Sequence, residues 1–377
     1  MHQRLARRLH HRPDERSCHG RLEDSPEARR RILDVYARGW SELLDAVGDS
    51  TPGHGHGRRS RRHQSARGRV TRLVAVVDLG STAVRFRLVR IAPGAGYRVL
   101  AQERVETRLG DGAPGTLSRA AIDETLRAVR RFVSNHASDG HVPRIVAVAT
   151  SAVRDARNRE RLLAPLRRNE GIEVRVLSAR AEARLGVAAA IESLPFEDGV
   201  VADLGGSSLQ LSRVRHRKVL SVASLPLGAV RTTRRFLRHD PPTPRELRAF
   251  RNGIRAQMLD VMPPAGRGEV MVGLGGTIRT LAGIHLGAHR GERKHRHGLR
   301  LHQSDVTAIR ERLEAVSRQK RGTIRGLKRE RADIILAGAI VIEEAMVFGG
   351  YLRLVVCTRG VGDGILLRET FNGRRAP

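Results

Sequence analysis

One short pattern occurs twice in this chain and constrains its fold more than any other feature. Residues 76–81 read Val-Val-Asp-Leu-Gly-Ser and residues 201–207 read Val-Ala-Asp-Leu-Gly-Gly-Ser, so 125 residues separate Asp78 from Asp203. Each copy begins with an apolar run that is typical of a buried strand. Because this spacing is about one domain in length, the repeat predicts a duplicated protein with a cleft between its two halves.

The residues after each glycine loop show what kind of loop it is. Apolar and polar residues alternate at Val84, Phe86 and Leu88 after the first loop, and at Leu209 and Leu211 after the second. Each loop is therefore predicted to join two strands, whereas a Walker loop or a dinucleotide-binding loop leads into a helix. Glycine lets backbone N–H groups approach an anion, and serine hydroxyls add donors. We interpret both loops as phosphate-binding hairpins, although one such loop alone is more often a plain turn.

Strand and helix patterns continue over about 300 residues, which is typical of α/β architecture. Further buried strands are predicted at 145–149, 173–177 and 271–272, and helices at 118–135 and 246–262. We predict a first domain over residues 70–194 and a second over residues 195–377. Residues 1–69 are predicted to form a basic, largely disordered extension with one helical pattern that follows Ser25.

The composition limits the partners and the compartment. Lysine and arginine number 70 against 39 acidic residues, a net charge of +31, which draws polyanions such as phosphate chains, nucleic acid or anionic membranes. Two cysteines exclude a disulfide framework and a cysteine-rich zinc site. No apolar run approaches the roughly 20 residues of a membrane span, and the N-terminus lacks a signal peptide pattern. We therefore expect a cytoplasmic protein that does not enter a membrane.

Three carboxylates are candidates for chemistry. Asp78 and Asp203 each end an apolar strand at a glycine loop, where a carboxylate can hold Mg²⁺ or its water shell. Capping of the turn is the alternative for either residue alone. Glu182 lies at a predicted helix start after the strand at 173–177, where it could take a proton from an attacking water. Most glutamates instead form surface salt bridges.

Basic residues beside these loops are candidates for phosphate binding. Arg85 follows the first loop and Arg154 follows the strand at 145–149, so either guanidinium could bind phosphate oxygens bidentately. In a chain so rich in arginine, only their positions single them out.

A group of histidines occurs late in the chain, surrounded by arginines and lysine. Its spacing fits no compact set of metal ligands. We predict a basic, flexible loop for these residues, which are His285, His289, His295, His297 and His302.

Six ordered stretches resemble the exopolyphosphatase / guanosine pentaphosphate phosphohydrolase (Ppx/GppA) family, in the actin–Hsp70–sugar-kinase fold superfamily. They are residues 76–81, 149–156, 182–184, 203–208, 275–277 and 331–339. The resemblance implies two ribonuclease-H-like (actin-like ATPase) domains around an interdomain cleft. It also implies a phosphohydrolase, dependent on Mg²⁺ (or Mn²⁺), that removes terminal phosphate from inorganic polyphosphate or the 5′ γ-phosphate from guanosine pentaphosphate. Paired subunits are common in this family, so a homodimer is expected.

The resemblance also implies roles for individual residues. Glu182 matches the catalytic base, and Asp203 is assigned both to catalysis and, with Asp78, to the metal site. The residues assigned to phosphate binding are Gly80, Ser81, Arg85, Arg154, Gly205, Gly206, Ser207 and Ser208.

Four positions depart from the family pattern. Thr82 and Ala83 replace an amide and a hydroxyl donor of the first loop. In the second loop Ser207 replaces a third glycine, and Gln210 replaces a glutamate near the expected metal. Since an amide carries no negative charge, we expect weaker metal binding. A protein that binds polyphosphate or a nucleotide without turning it over is therefore the alternative function.

Two other functions rank lower. A small-molecule kinase of the same superfamily would use similar glycine loops, but the stretches at 149–156 and 182–184 resemble the phosphatase branch. Nucleic-acid binding would suit the basic charge, but no recognised binding module supports it.

Overall fold

The structure is a computed structural model that describes residues 71–92, 96–136, 144–288 and 295–372. The helical pattern after Ser25, the rest of the basic extension and His289 lie outside these residues.

The first sheet forms around a strand that is apolar along most of its length. Its strands, in chain order, are β1 Arg72–Leu79, β2 Val84–Ala92, β3 Gly96–Val105, β4 Arg144–Ala149 and β5 Val174–Val176. They are arranged in the order β3-β2-β1-β4-β5, with β1 antiparallel to β2 and parallel to β4. Strand β1 is central and covered on both faces, which is why it reads as a continuous run of valine, alanine and leucine.

The second sheet repeats this arrangement. Its strands are β6 Gly199–Leu204, β7 Leu209–Arg215, β8 Lys218–Leu225, β9 Val270–Leu274, β10 Arg300–His302 and β11 Arg353–Val356. The order is β10-β11-β9-β6-β7-β8, with β6 antiparallel to β7 and parallel to β9. Strands β6 to β9 therefore match β1 to β4 in order and direction, and the duplication predicted from the sequence is confirmed at the level of the sheets.

Helices cover the faces of both sheets. In chain order they are α1 Arg119–His136, α2 Ser151–Arg154, α3 Glu160–Glu170, α4 Ala179–Ser193, α5 Ala229–Phe236, α6 Pro244–Met258, α7 Gly276–Ala288, α8 Gln303–Glu314, α9 Arg318–Arg321, α10 Ile335–Gly349 and α11 Val361–Asn372. None of the helices in the described residues combines the length and the hydropathy of a membrane span. Helix α10 is buried around most of its circumference and forms the centre of the second core.

Two helices connect the sheets. Helix α4 leads from the first sheet to the second, and its Gly186 faces Asp203 and Leu274. Helix α11, which falls in the range predicted for the second domain, packs on the first sheet through Ile365 and Leu366. The two helices approach closely at Gly364, where a Cβ would lie 2.2 Å from the Leu185 carbonyl oxygen.

Candidate active site

The two glycine loops have the same turn geometry. In the first, the N–H of Gly80 donates to the carbonyl oxygen of Ala83 at 3.2 Å, and in the second the N–H of Gly205 donates to that of Ser208 at 3.0 Å. Each loop connects an antiparallel pair of strands, β1 with β2 and β6 with β7. The prediction that both loops are hairpins, rather than strand-to-helix loops, is confirmed.

The two loops touch through serine hydroxyls. Ser207 Oγ donates to Ser81 Oγ at 3.0 Å, and Ser81 Oγ lies 3.3 Å from Ser151 Oγ. All three serines are buried. The hairpins of the two sheets therefore meet at one end of the cleft.

Helix α5 supports the second loop. Its first N–H groups, from Ala229 and Val230, donate to the carbonyl oxygens of Gly205 and Gly206 at 3.0 and 2.9 Å. Gly228 precedes this helix, and a Cβ there would lie 2.3 Å from the backbone of Ser207. Only glycine fits this approach, so Gly228 holds the loop against the helix.

The two aspartates occupy matching positions with different neighbours. Asp78 is directly opposite Arg85 across the β1–β2 pair, and Arg85 Nη1 lies 3.1 Å from Asp78 Oδ2. Asp203 is opposite Gln210 across the β6–β7 pair, but Gln210 Nε2 donates to Ser208 Oγ at 3.1 Å. The first carboxylate is thus paired with a cation, and the second faces a neutral amide.

Glu182 is held by an arginine behind the cleft. Ser178 caps the start of helix α4 by accepting the N–H of Ala181, which places Glu182 in the first turn. Arg154 Nη1 donates to Glu182 Oε2 at 2.8 Å and to the carbonyl oxygen of Leu177 at 2.9 Å. Arg154, expected to bind phosphate, therefore uses its guanidinium to orient the candidate base.

Burial changes the proton affinity of two carboxylates. It raises the pKa of Glu182 to about 7, against the opposing effect of the Arg154 hydrogen bond and charge, and the charges of Asp203 and Asp78 raise it further. Burial likewise raises the pKa of Asp203 to about 6, although part of this side chain is open to the cleft. A carboxyl with a pKa near 7 is suited to accept a proton at neutral pH.

Two arginines that the sequence analysis did not assign line the same cleft. Burial lowers the pKa of both Arg279 and Arg331 to about 10, and the positive charge of Arg85 lowers each of them further. Within the described residues the guanidinium of Arg279 forms no hydrogen bond or close ion pair, and the buried Nε of Arg331 has no hydrogen-bond partner. Guanidinium groups that line a cleft and have no close carboxylate partner are suited to bind anions.

A sequence signal for these arginines existed. Arg279 follows the stretch at 275–277, and Arg331 begins the stretch at 331–339. In a chain with 70 lysines and arginines, neither could be distinguished by composition. The fold singles them out because it buries them beside the glycine loops.

One cleft of about 440 Å³ collects most of the predicted site residues. Those among its lining residues are Asp78, Gly80, Ser81, Arg85, Glu182, Asp203, Gly205 and Gly206. Ser207 and Ser208 are buried behind the loop surface with their hydroxyls in internal hydrogen bonds. Arg154 reaches the cleft only through its contact with Glu182.

The carboxylates can be compared with the needs of a metal ion. The part of the chain that the structure describes contains no group of three or more His, Cys, Asp or Glu side chains arranged to hold a metal. Mg²⁺ is commonly bound by one or two carboxylates together with substrate phosphate oxygens and water. Asp78 and Asp203 therefore fit an ion that binds together with a phosphate substrate.

The prediction of a loop is wrong for His285 and His302, which lie in a helix and in strand β10, whereas His297 lies in a loop but is hydrogen-bonded on both sides. His285 lies in helix α7, and His302 immediately precedes helix α8. His297 is hydrogen-bonded through both ring nitrogens, to Ser193 and Thr358. The sequence pattern missed this because the partners are distant along the chain.

The fold and the cleft define a hydrolase of the actin-like α/β class. The chain belongs to the Ppx/GppA phosphatase family, whose family model matches residues 88–372. The α/β fold class that the sequence predicted is confirmed.

Relatives and solved structures agree with this assignment. Exopolyphosphatase 1 of Mycobacterium tuberculosis is 29% identical over 309 residues, which cover 78% of this chain and 88% of the relative. Exopolyphosphatase 2 of the same species is 30% identical over 315 residues, covering 78% and 97%. The crystal structure of the Aquifex aeolicus family member matches with a TM-score of 0.69 and 28% identity, over 81% of this chain and all of that one. An exopolyphosphatase from Cytophaga hutchinsonii shares the fold, with a TM-score of 0.72 and 24% identity over 80% and 98% of the chains.

Proposed function

We propose that this chain is an exopolyphosphatase, which hydrolyses the terminal phosphoanhydride bond of inorganic polyphosphate. The observation that carries the proposal is the position of Glu182 in a cleft that is also lined by both glycine loops and by Arg85, Arg279 and Arg331. A general base, backbone donors and cationic side chains are what hydrolysis of a polyanion requires.

Glu182 acts as the general base in this proposal. Because the pKa of Glu182 is about 7, this carboxyl group is ionised in a large fraction of the protein molecules at neutral pH. The carboxylate takes a proton from water while the water oxygen bonds to the terminal phosphorus. The bond from that phosphorus to the bridging oxygen breaks, releasing orthophosphate and a chain one phosphate shorter. Arg154 keeps the carboxylate in place during the transfer.

The remaining cleft residues hold the substrate. The N–H groups of the two glycine loops, other than those of Gly80 and Gly205 that close the turns, face the terminal phosphate. Arg85, Arg279 and Arg331 neutralise the charge of the chain behind it. Asp78 and Asp203 are the residues that would hold Mg²⁺ or Mn²⁺ beside the substrate. When bound, such an ion offsets negative charge at the bond being broken.

Polyphosphate is preferred as the substrate because several relatives that match most of this chain are named exopolyphosphatase. The 5′ γ-phosphate of guanosine pentaphosphate is the other substrate to test. A cytoplasmic location and a homodimer stay predictions.

Phosphate release from polyphosphate and from guanosine pentaphosphate tests the proposal. Wild type and Glu182→Gln are compared over a series of Mg²⁺ and Mn²⁺ concentrations. We expect metal-dependent release by wild type and none by the variant. If wild type releases no phosphate from either substrate at any metal concentration, the proposal is rejected.

A phosphate-binding protein without turnover is the second candidate. It is favoured by Gln210, which places a neutral amide opposite Asp203, and by Ala83, which offers the first loop no hydroxyl. Tight binding of polyphosphate by wild type without phosphate release, together with release by Gln210→Glu, would support it.

A further inference from the structure

Two connections join the halves of the molecule, and one histidine lies between them. The chain leaves helix α4 at Ser193 and enters the second sheet at Gly199. It returns from strand β11 to helix α11 through residues 357–360. His297, in the loop before β10, contacts both connections.

The contacts of His297 determine its tautomer. Nε2 lies 3.0 Å from the carbonyl oxygen of Ser193, which can only accept a hydrogen bond. Nδ1 lies 3.2 Å from the backbone nitrogen of Thr358, which can only donate, and 3.3 Å from its hydroxyl. These contacts fit the tautomer that carries its proton on Nε2, in which both ring nitrogens form hydrogen bonds.

Neighbouring bonds make this region stiff. The N–H of Cys357 donates to the carbonyl oxygen of Gly273 at 2.9 Å, and the N–H of Gly298 donates to that of Val356 at 2.8 Å. Ser193 Oγ lies 3.8 Å from the sulfur of the buried Cys357. His297 thus closes a set of contacts in which both connections are held against the second sheet.

Each partner of His297 leads directly to the cleft. Ser193 ends the helix whose first turn carries Glu182, and Thr358 begins a segment to Asp363 that lines the cleft. A shift at one end of a helix moves the other end, because the backbone hydrogen bonds make it rigid. We propose that His297 is a positioning residue that sets Glu182 relative to the 358–363 edge of the cleft.

Three substitutions at this position separate the two contacts. His297→Ala removes both, His297→Gln keeps a donor near the Nε2 position, and His297→Asn keeps an acceptor near the Nδ1 position. His295→Ala is the matched control, because His295 is exposed in the same loop. Melting temperature, steady-state phosphate release and hydrogen exchange of segments 190–199 and 357–363 are measured for each variant.

We expect His297→Ala to lower kcat by about tenfold or more, since small misplacements of catalytic groups cost this much. The effect on KM should be smaller than that on kcat, because His297 itself does not line the cleft. The kcat values of His297→Gln and His297→Asn should lie between those of wild type and His297→Ala. Exchange at 357–363 should rise in the Ala and Gln variants and stay near wild type in the Asn variant and in His295→Ala.

The predicted change in kcat rests on the proposed phosphohydrolase function, whereas the predicted change in hydrogen exchange does not. If wild type shows no turnover, faster exchange confined to the two connections in His297→Ala still supports the link. A folded His297→Ala with wild-type kcat and unchanged exchange overturns the inference. Should His297→Ala fail to fold, equal kcat and equal exchange of the folded Gln and Asn variants with wild type would overturn it.

Discussion

The guanidinium of Arg154 donates a 2.8 Å hydrogen bond to the carboxylate of Glu182, whose side chain is 10% exposed against 21% for that of Arg154. Burial and the nearby aspartates favour the protonated form of Glu182, while Arg154 favours the ionised form. This contact therefore lowers the pH at which the candidate base becomes available.

Replacing Arg154 should move the acidic limb of the pH–rate profile to higher pH. In wild type, kcat/KM should rise with pH through about 7, where Glu182 loses its proton. Arg154→Met removes the hydrogen bond and the positive charge, so the pKa of Glu182 should rise above that value. Arg161→Met, at an exposed position of helix α3, serves as the control. An unmoved limb in Arg154→Met would contradict the assignment of Glu182 as the base.

Glu182→Gln should lose phosphate release and gain stability at high pH. The pKa of Glu182 is raised from 4.5 to about 7 in the folded protein, so ionisation destabilises the fold. The sign follows from this: the cost is absent below about pH 4.5 and complete above about pH 7, where it reaches roughly 3 kcal/mol. Melting temperatures of wild type and variant across pH 4–9 check it, with a gain expected only on the alkaline side.

One result would contradict the gain in stability that is predicted for Glu182→Gln. Equal melting curves at pH 8.5 would mean that Glu182 is not buried as an ionised group. Retained binding of triphosphate by Glu182→Gln, measured by calorimetry, separates loss of chemistry from loss of the fold.

Arg279→Met should weaken binding of phosphate chains and stabilise the protein. The loss of a charge-assisted hydrogen bond is worth about 1.5–3 kcal/mol, or roughly ten- to a hundredfold in affinity. Burial lowers the pKa of Arg279 to about 10, so folding disfavours its charge and a neutral side chain should raise the melting temperature. Triphosphate titrations in EDTA measure the binding without any metal. Arg267→Met, at an exposed site, should change neither quantity.

Gln210→Glu should lower the Mg²⁺ concentration needed for half-maximal activity. The register places residue 210 opposite Asp203, so the substitution puts two carboxylates side by side. Like charges at this distance repel, and a divalent cation relieves the repulsion. Phosphate release over a magnesium titration tests this, with Gln319→Glu on an exposed helix as the control. An unchanged magnesium curve would show that this part of the cleft does not hold the ion.

The local features of this fold could be predicted from the sequence because they depend on neighbours in the chain. Apolar strands that end in Asp-Leu-Gly, alternation after each loop and the 125-residue repeat were enough for two matching hairpins and an α/β class. The strands at 145–149 and 173–177 and the helices at 118–135 and 246–262 all appear within a few residues of their predicted bounds.

Contacts between distant residues were decided only by the tertiary structure. No local pattern predicts that helix α11 packs on the first sheet, that Arg154 binds Glu182, or that His297 joins Ser193 to Thr358. Arg279 and Arg331 resemble the chain's many other arginines until the fold buries them. Periodicity reports which face of an element is apolar, whereas burial, charge pairing and pKa depend on what packs against that face.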